Sequence, residues 1–365
     1  MADGQAVDHI TLSRREDMAQ YEWDNERKQW ARPDVDAKTL KELSERSTIN
    51  GLVRIAFFVV CLGAAAVATI LVSRISLWLA IPVIYIYFSL YGFWVAIAHE
   101  MQHQTAFAKS ANWLNEILFF FIQVLMWNSP RYARVSHKLH HRYTMIEGMD
   151  PETDWPETIT SAWLRKFLRA RILSILAFGA VRDLALAAKK QLWRAIGKKE
   201  WMMRDHCSPQ DNLVIRIESA AILLIHVAVV VIAILFRRWE LLALVTIAWQ
   251  IGSPVEAIWH ATKHLSRPKN VNDHRLNTRS IKVGPFTKLI FWGLDDHVDH
   301  HLYPIVPSRN LPKLHKILAT QLPTPKNVIG CWDEMFAIAH EKETHPGTEF
   351  VSVGAATESA EVGVQ

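Results

Sequence analysis

The chain has 365 residues, 50% of them hydrophobic and 21% charged, with a formal net charge of +5. So mild a charge, with no basic run interleaved with aromatics, excludes a nucleic-acid groove. The three cysteines, Cys61, Cys207 and Cys331, stand far apart and form no CxxC pair, which argues against a disulfide framework or a cysteine zinc site.

Residues 1–50 are polar and charged, lack a secretory signal and read as a cytosolic arm with some surface helix. Two apolar runs follow, 55–73 and 75–98, separated at Arg74. Each meets the roughly 18–20 apolar residues that a bilayer-spanning helix requires. A second pair reads at 217–236 and 240–259, with Arg237 and Arg238 at its turn. The expected fold is all-α and integral to the membrane: four transmembrane helices in two hairpins, with a cytosolic helical cap over 99–212 and 260–345. Fifteen tryptophans suit such a chain, because Trp concentrates at membrane–water boundaries. Residues 117–127 and 286–292 are apolar but too short to span, and read as interfacial or re-entrant helices. The final segment, 346–365, reads as a disordered tail.

Charge bias sets the orientation. Lys and Arg number eight before residue 51 and sixteen in 104–211, against one and two in the two turns. By the positive-inside rule the arm, the middle segment and the tail face the cytoplasm.

Histidines supply the chemistry. His99 and His103 form HEMQH, His137, His140 and His141 form HKLHH, and His297, His300 and His301 form HVDHH. Spacings of three and four put the rings of each box on one helical stripe. A lone histidine is more often a hydrogen-bonded core or surface residue than a ligand. That reading applies to His9, His206, His226, His274, His315, His340 and His345, but chance placement rarely gives HxxHH twice beside HxxxH. Eight histidines exceed what one ion uses, so a dinuclear site or two sites is the economical reading. An even number of spans separates the boxes, which brings all three to one membrane face. At the end of the fourth span, His264 is a plausible ninth ligand and His260 a further candidate. Ligating imidazoles need partners on the other ring nitrogen. Candidates are Glu100, Asp150, Asp154, Glu256, Asp295, Asp296 and Asp299. The apolar residues after the third box, 302–306, are expected where the metal site meets lipid and an acyl chain.

With HEMQH, HKLHHRYT followed by DPETD, and HVDHHLYPIVPSRNLPKLH, the chain resembles the integral-membrane fatty acid desaturase family over roughly residues 50–320. That resemblance implies two Fe ions in a non-haem di-iron centre, O2 as co-substrate, external electrons and a fatty acyl substrate. It also implies an extra histidine ligand near His264; the residue four before is often Asn in the family and is His260 here. The implied reaction is fatty acid desaturation. Hydroxylation and terminal-alkene-forming oxidative decarboxylation are alternatives on the same scaffold. No cytochrome b5 domain, nucleotide-binding glycine loop or iron–sulfur cysteine cluster is read, so electrons are expected from a separate donor, a ferredoxin or similar with its reductase. The expected location is a bacterial inner membrane with the site on its cytoplasmic side. Outside this class stands a membrane zinc metalloprotease, since HEMQH fits HExxH with Glu100 as base. That reading leaves six boxed histidines unexplained. A transporter would hold its site mid-membrane rather than past the helix ends.

Overall fold

The structure, a computed structural model, describes residues 30–345 apart from 154, 157 and 174–177. The expectations for 1–29 and 346–365 lie outside the described residues. Those described are helical, with two isolated β-bridges, Ala31 with Asp273 and Ile281 with Lys326, and no strand. A short helix α1, Ala37–Leu43, precedes the first long helix α2, Thr48–Ile75. Next come α3, Leu77–Gly92, and α4, Trp94–Gln102, on nearly one line. The middle segment holds α5, Asn112–Leu125; α6, Pro130–Arg142; α7, Ser161–Leu173; and α8, Phe178–Ala195. Helix α9, Pro209–Leu235, leads to α10, Ala248–His264. Three more matter for the site: α11, His297–Leu302; α12, Leu311–Leu318; and α13, Val328–Thr344.

Four helices are long and apolar enough to cross a membrane: Thr48–Ile75, Leu77–Gln102, Pro209–Leu235 and Leu242–His264. Their apolar surface points outward; Val59, Val60, Val67 and Leu71 of α2 are all exposed. Contiguous apolar exposure on that scale is stable against lipid and hazardous against water. Helix α5, at 14 residues, covers most of the short apolar run and falls below span length. Another short helix, Pro285–Ile290, covers the start of the run at 286–292.

Local sequence explains the ends. Ser76 alone separates α2 from α3. Its N–H donates to the Val72 carbonyl at 2.9 Å, and its Oγ accepts from Leu79 N at 3.4 Å. One residue thus closes one helix and caps the next. Helix α9 starts on a reciprocal capping box between Ser208 and Asp211, with Pro209 in its first turn. The fourth apolar helix opens with a π-helical turn, Leu242–Thr246. Such a turn leaves carbonyls unpaired along the helix. Tyr87 Oη donates to Leu244 O at 3.3 Å and Trp127 Nε1 to Thr246 O at 2.9 Å.

Packing orders the helices as α2 on α3 and α3 on α10. Glycines make the second contact: a Cβ on Gly92 would lie 2.6 Å from the Gly252 carbonyl oxygen. Small residues are what permits such approach between apolar helices. Helix α9 packs on α8, which also reaches α10. One expectation is corrected here. Leu302, Tyr303 and Val306 do not line a lipid-facing mouth; they are buried with Leu311, Leu314, Leu318 and Leu43 in one hydrophobic cluster. The apolar tail of the third box therefore anchors α11 to α12 and α1.

Candidate metal centre

The boxes ride on three helices. Ser129 caps α6 by accepting from Tyr132 N at 3.1 Å, and its hydroxyl donates to Glu218 at 2.5 Å. This fixes the helix that carries His137, His140 and His141. Helix α11 is only six residues long. Ser280 Oγ accepts from Val298 N at 3.0 Å, and the buried Asp299 accepts from His315 Nδ1 at 3.0 Å. His315, read from sequence as an ordinary histidine, is a brace for the third box.

Nine histidines meet in two groups. His99, His103, His137, His141 and His300 bring one ring nitrogen each within 4.8 Å of one another, and so do His140, His264, His297 and His301. The partition follows helical spacing. In α6 the i, i+4 pair His137 and His141 serves the first group and His140 the second. In α11 the i, i+4 pair His297 and His301 serves the second and His300 the first. Helix α4, with His103 just past its end, adds another pair to the first group. Helix α10 adds only His264 to the second. His260, one turn earlier, joins neither; its Nδ1 lies 3.9 Å from Glu256. The arrangement is a near-symmetric cage with one partner missing.

Facing nitrogens test whether the cage fits metal. His103 and His137 approach Nε2 to Nε2 at 2.8 Å, His141 and His300 at 3.1 Å, and His264 and His297 at 3.0 Å. An imidazole nitrogen sits roughly 2.0–2.1 Å from a bound divalent ion, so two donors at right angles lie about 2.9 Å apart. The contacts therefore match edges of a coordination shell. The His99 Nε2 is buried without a hydrogen-bond partner among the described residues, as a metal-directed lone pair would be. The cage fits a metal in each group.

Outer partners fix several rings. His140 Nδ1 donates to Asp150 at 2.9 Å, His137 Nδ1 to Glu152 at 3.1 Å and His264 Nδ1 to the Asn277 carbonyl at 3.1 Å. Each bond holds the proton on Nδ1 and leaves Nε2 free for the centre. Asp150 was legible as a partner; Glu152, two residues on in the same DPETD run, was not separable from its neighbours by spacing. Asn277 acts through its backbone, which carries no sequence signal. Other carboxylates go elsewhere. Glu100 accepts from Ser308 N at 3.1 Å. Asp295 and Asp296 bind Lys288 at 2.7 and 2.8 Å. Asp154 lies outside the described residues.

Burial favours the neutral form of four of these rings. It pushes His103, His141, His300 and His301 well below the ordinary histidine value, and neighbouring histidines push the same way. His140 differs: burial pulls it down, but the Asp150 carboxylate outweighs that and raises it. Neutral imidazole is the ligating form. The two groups also differ in access. The second is wholly buried, whereas His99, His103 and His141 of the first are half-buried.

Six apparently ordinary histidines within the described residues divide. His274 stacks near the cage, its ring 4.9 Å from that of His301. His226 stacks on Trp127 at 3.8 Å and meets the Val124 carbonyl at 3.0 Å, a packing role. His315 braces Asp299. His206 lies 5.7 Å from the Trp201 ring, and His340 and His345 sit at the end of α13.

No curated protein matches the chain. The fatty acid desaturase family model does, over residues 76–331, a stretch that contains all three boxes and both α10 histidines. With the histidine cage and the four membrane-length helices, that match places the chain in the fatty acid desaturase family.

Proposed function

We propose that the protein is a membrane-bound di-iron desaturase that introduces a double bond into a fatty acyl chain, using O2 and electrons from a separate carrier. The observation that carries this reading is the division of nine histidines into adjacent groups of five and four. All-nitrogen shells of this kind suit iron. Bound there, a pair of irons supplies the power to activate O2 and take hydrogen from an unactivated C–H bond. The protein's own part is to hold the nitrogens. Asp150, Glu152 and the Asn277 carbonyl fix ring tautomers, and burial holds His103, His141, His300 and His301 in the unprotonated form. O2 leaves as water, and electrons beyond those of the two C–H bonds come from the carrier. In this reading His99, His103, His137, His141 and His300 ligate one iron, and His140, His264, His297 and His301 the other. The site faces the cytoplasm of a bacterial inner membrane, and the acyl chain reaches it from lipid.

A zinc protease is disfavoured by Glu100, whose carboxylate is engaged with Ser308 in the cap. The test is expression in a bacterial host, with lipid extracts and headspace run through gas chromatography and metals counted in purified protein. A new internal double bond and about two irons per chain are expected. His140→Ala and His300→Ala abolish the product and lower iron. A hydroxy acid, or a terminal alkene one carbon shorter, overturns desaturation in favour of the sister reactions. About one zinc per chain overturns the iron reading altogether.

A further inference from the structure

The second histidine group is buried, and a path of aromatic rings connects it to the surface. Trp30 precedes a short extended segment bridged at Ala31 to Asp273. Its neighbour Ala31 donates from N to the Asn272 carbonyl at 2.9 Å, and the Tyr303 hydroxyl donates to the Pro33 carbonyl. The Trp30 indole stacks on His274 at 4.2 Å with the planes 5° apart. The His274 ring then lies 4.9 Å from that of His301, a member of the buried group. All three residues line one cavity of about 510 Å³ together with Arg32, Asp34 and Pro304. His274 is buried, and its Nδ1 has no hydrogen-bond partner among the described residues. Neither Trp30 nor His274 belongs to either histidine group.

We propose that Trp30 and His274 form the port through which electrons from an acidic iron–sulfur carrier protein reach the second histidine group. This rests on the reading of the cage as a redox metal centre. Electron transfer falls off steeply with gaps between orbitals, and ring-on-ring contact from surface to ligand closes those gaps. No bond forms or breaks: each electron leaves the carrier's cluster and reduces one metal ion by one unit. Arg32 marks the rim. Its guanidinium lies 4.9 Å over the Tyr303 ring and is exposed to a docking partner. Exposed Asp34 shares this rim, so the attraction to an acidic partner comes from Arg32 at the contact and from the whole chain's net charge of +5.

The probe is a plant-type [2Fe–2S] ferredoxin, a low-potential one-electron donor. Reduced ferredoxin is mixed without oxygen with excess oxidised, metal-loaded protein, and its own visible absorbance reports its reoxidation. Trp30→Leu and His274→Leu slow that step about tenfold or more, a loss equivalent to about 1.4 kcal/mol of barrier. Trp30→Phe and His274→Phe keep a ring in place and recover most of the rate. Reduction by dithionite, which needs no docking port, is unchanged in all four variants, as is metal content. With metal-free protein, Arg32→Glu weakens ferredoxin binding and flattens its salt dependence. Equal ferredoxin rates in wild type and the Leu variants overturn the port, as does a parallel fall with dithionite or unchanged ferredoxin affinity in Arg32→Glu. If the wild type accepts electrons from neither donor, it is the redox reading of the cage that fails.

Discussion

At the scale of single residues the centre depends on which nitrogen each helix delivers. His264 and His260 are four apart on α10, yet only His264 reaches a group. His260 is turned towards Glu256, leaving the second group with four donors against five in the first. Loss of His264 leaves three donors there. His264→Ala is therefore expected to purify with about one metal per chain instead of about two, and His260→Ala with about two. Inductively coupled plasma analysis of both variants decides this, and equal losses would make His260 a ligand too. The eight box histidines were legible because a 3.6-residue helix turns i, i+3 and i+4 spacings into one stripe. What spacing could not give was the sorting within a box. His140 leaves its neighbour His141 because successive helical residues point about 100° apart, and only the arrangement of the other helices says what stands on each side.

At the scale of elements the cage depends on how closely α3 and α10 approach, since α4 continues from α3 with His99 and α10 ends at His264. Gly252 faces the backbone of Phe88 and Gly92. A side chain there must push the two helices apart. Gly252→Leu is expected to cost about 1–3 kcal/mol through overpacking and to lower metal content, because the first and second groups are drawn apart. Gly63→Leu is the control: nothing lies within 4 Å of a Cβ at that position, so the substitution only adds lipid-facing surface. A thermal midpoint in detergent that falls for Gly63→Leu as much as for Gly252→Leu would show a general response to bulk. Apolar runs located these spans, and the helices that carry them run past the apolar residues at their polar ends: the third begins at Pro209, ahead of 217, and the fourth continues beyond 259 to His264. Polar turns carrying ligands or caps remain helical, and a hydropathy pattern cannot see them. The tail of the third box misled for a related reason: burial inside the protein and burial in lipid both call for Leu, Tyr and Val.

At the scale of the whole molecule the chain must bring His141, before the third long helix, to His300, after the fourth. The two Nε2 atoms lie 3.1 Å apart. Two crossings between them satisfy this and one does not, so the cage itself demands an even count between the middle segment and α11. The same demand joins His103 to His137 without a crossing, consistent with α5 at 14 residues. Positive charge then predicts the side: the middle segment, rich in Lys and Arg, is expected in the cytoplasm, and the turn at Arg237 and Arg238 on the opposite face. Single cysteines on a cysteine-free chain make the arrangement measurable. Lys41→Cys, Lys189→Cys and Lys342→Cys are all at exposed positions, as is Arg237→Cys. In intact bacterial spheroplasts a membrane-impermeant maleimide is expected to label only Arg237→Cys, and the other three only after permeabilisation. Labelling of Lys189→Cys together with Arg237→Cys in intact cells would place the middle segment and the turn on one side. The four-span path would then be wrong, and the two halves of the cage would have to meet by some route other than an even number of crossings.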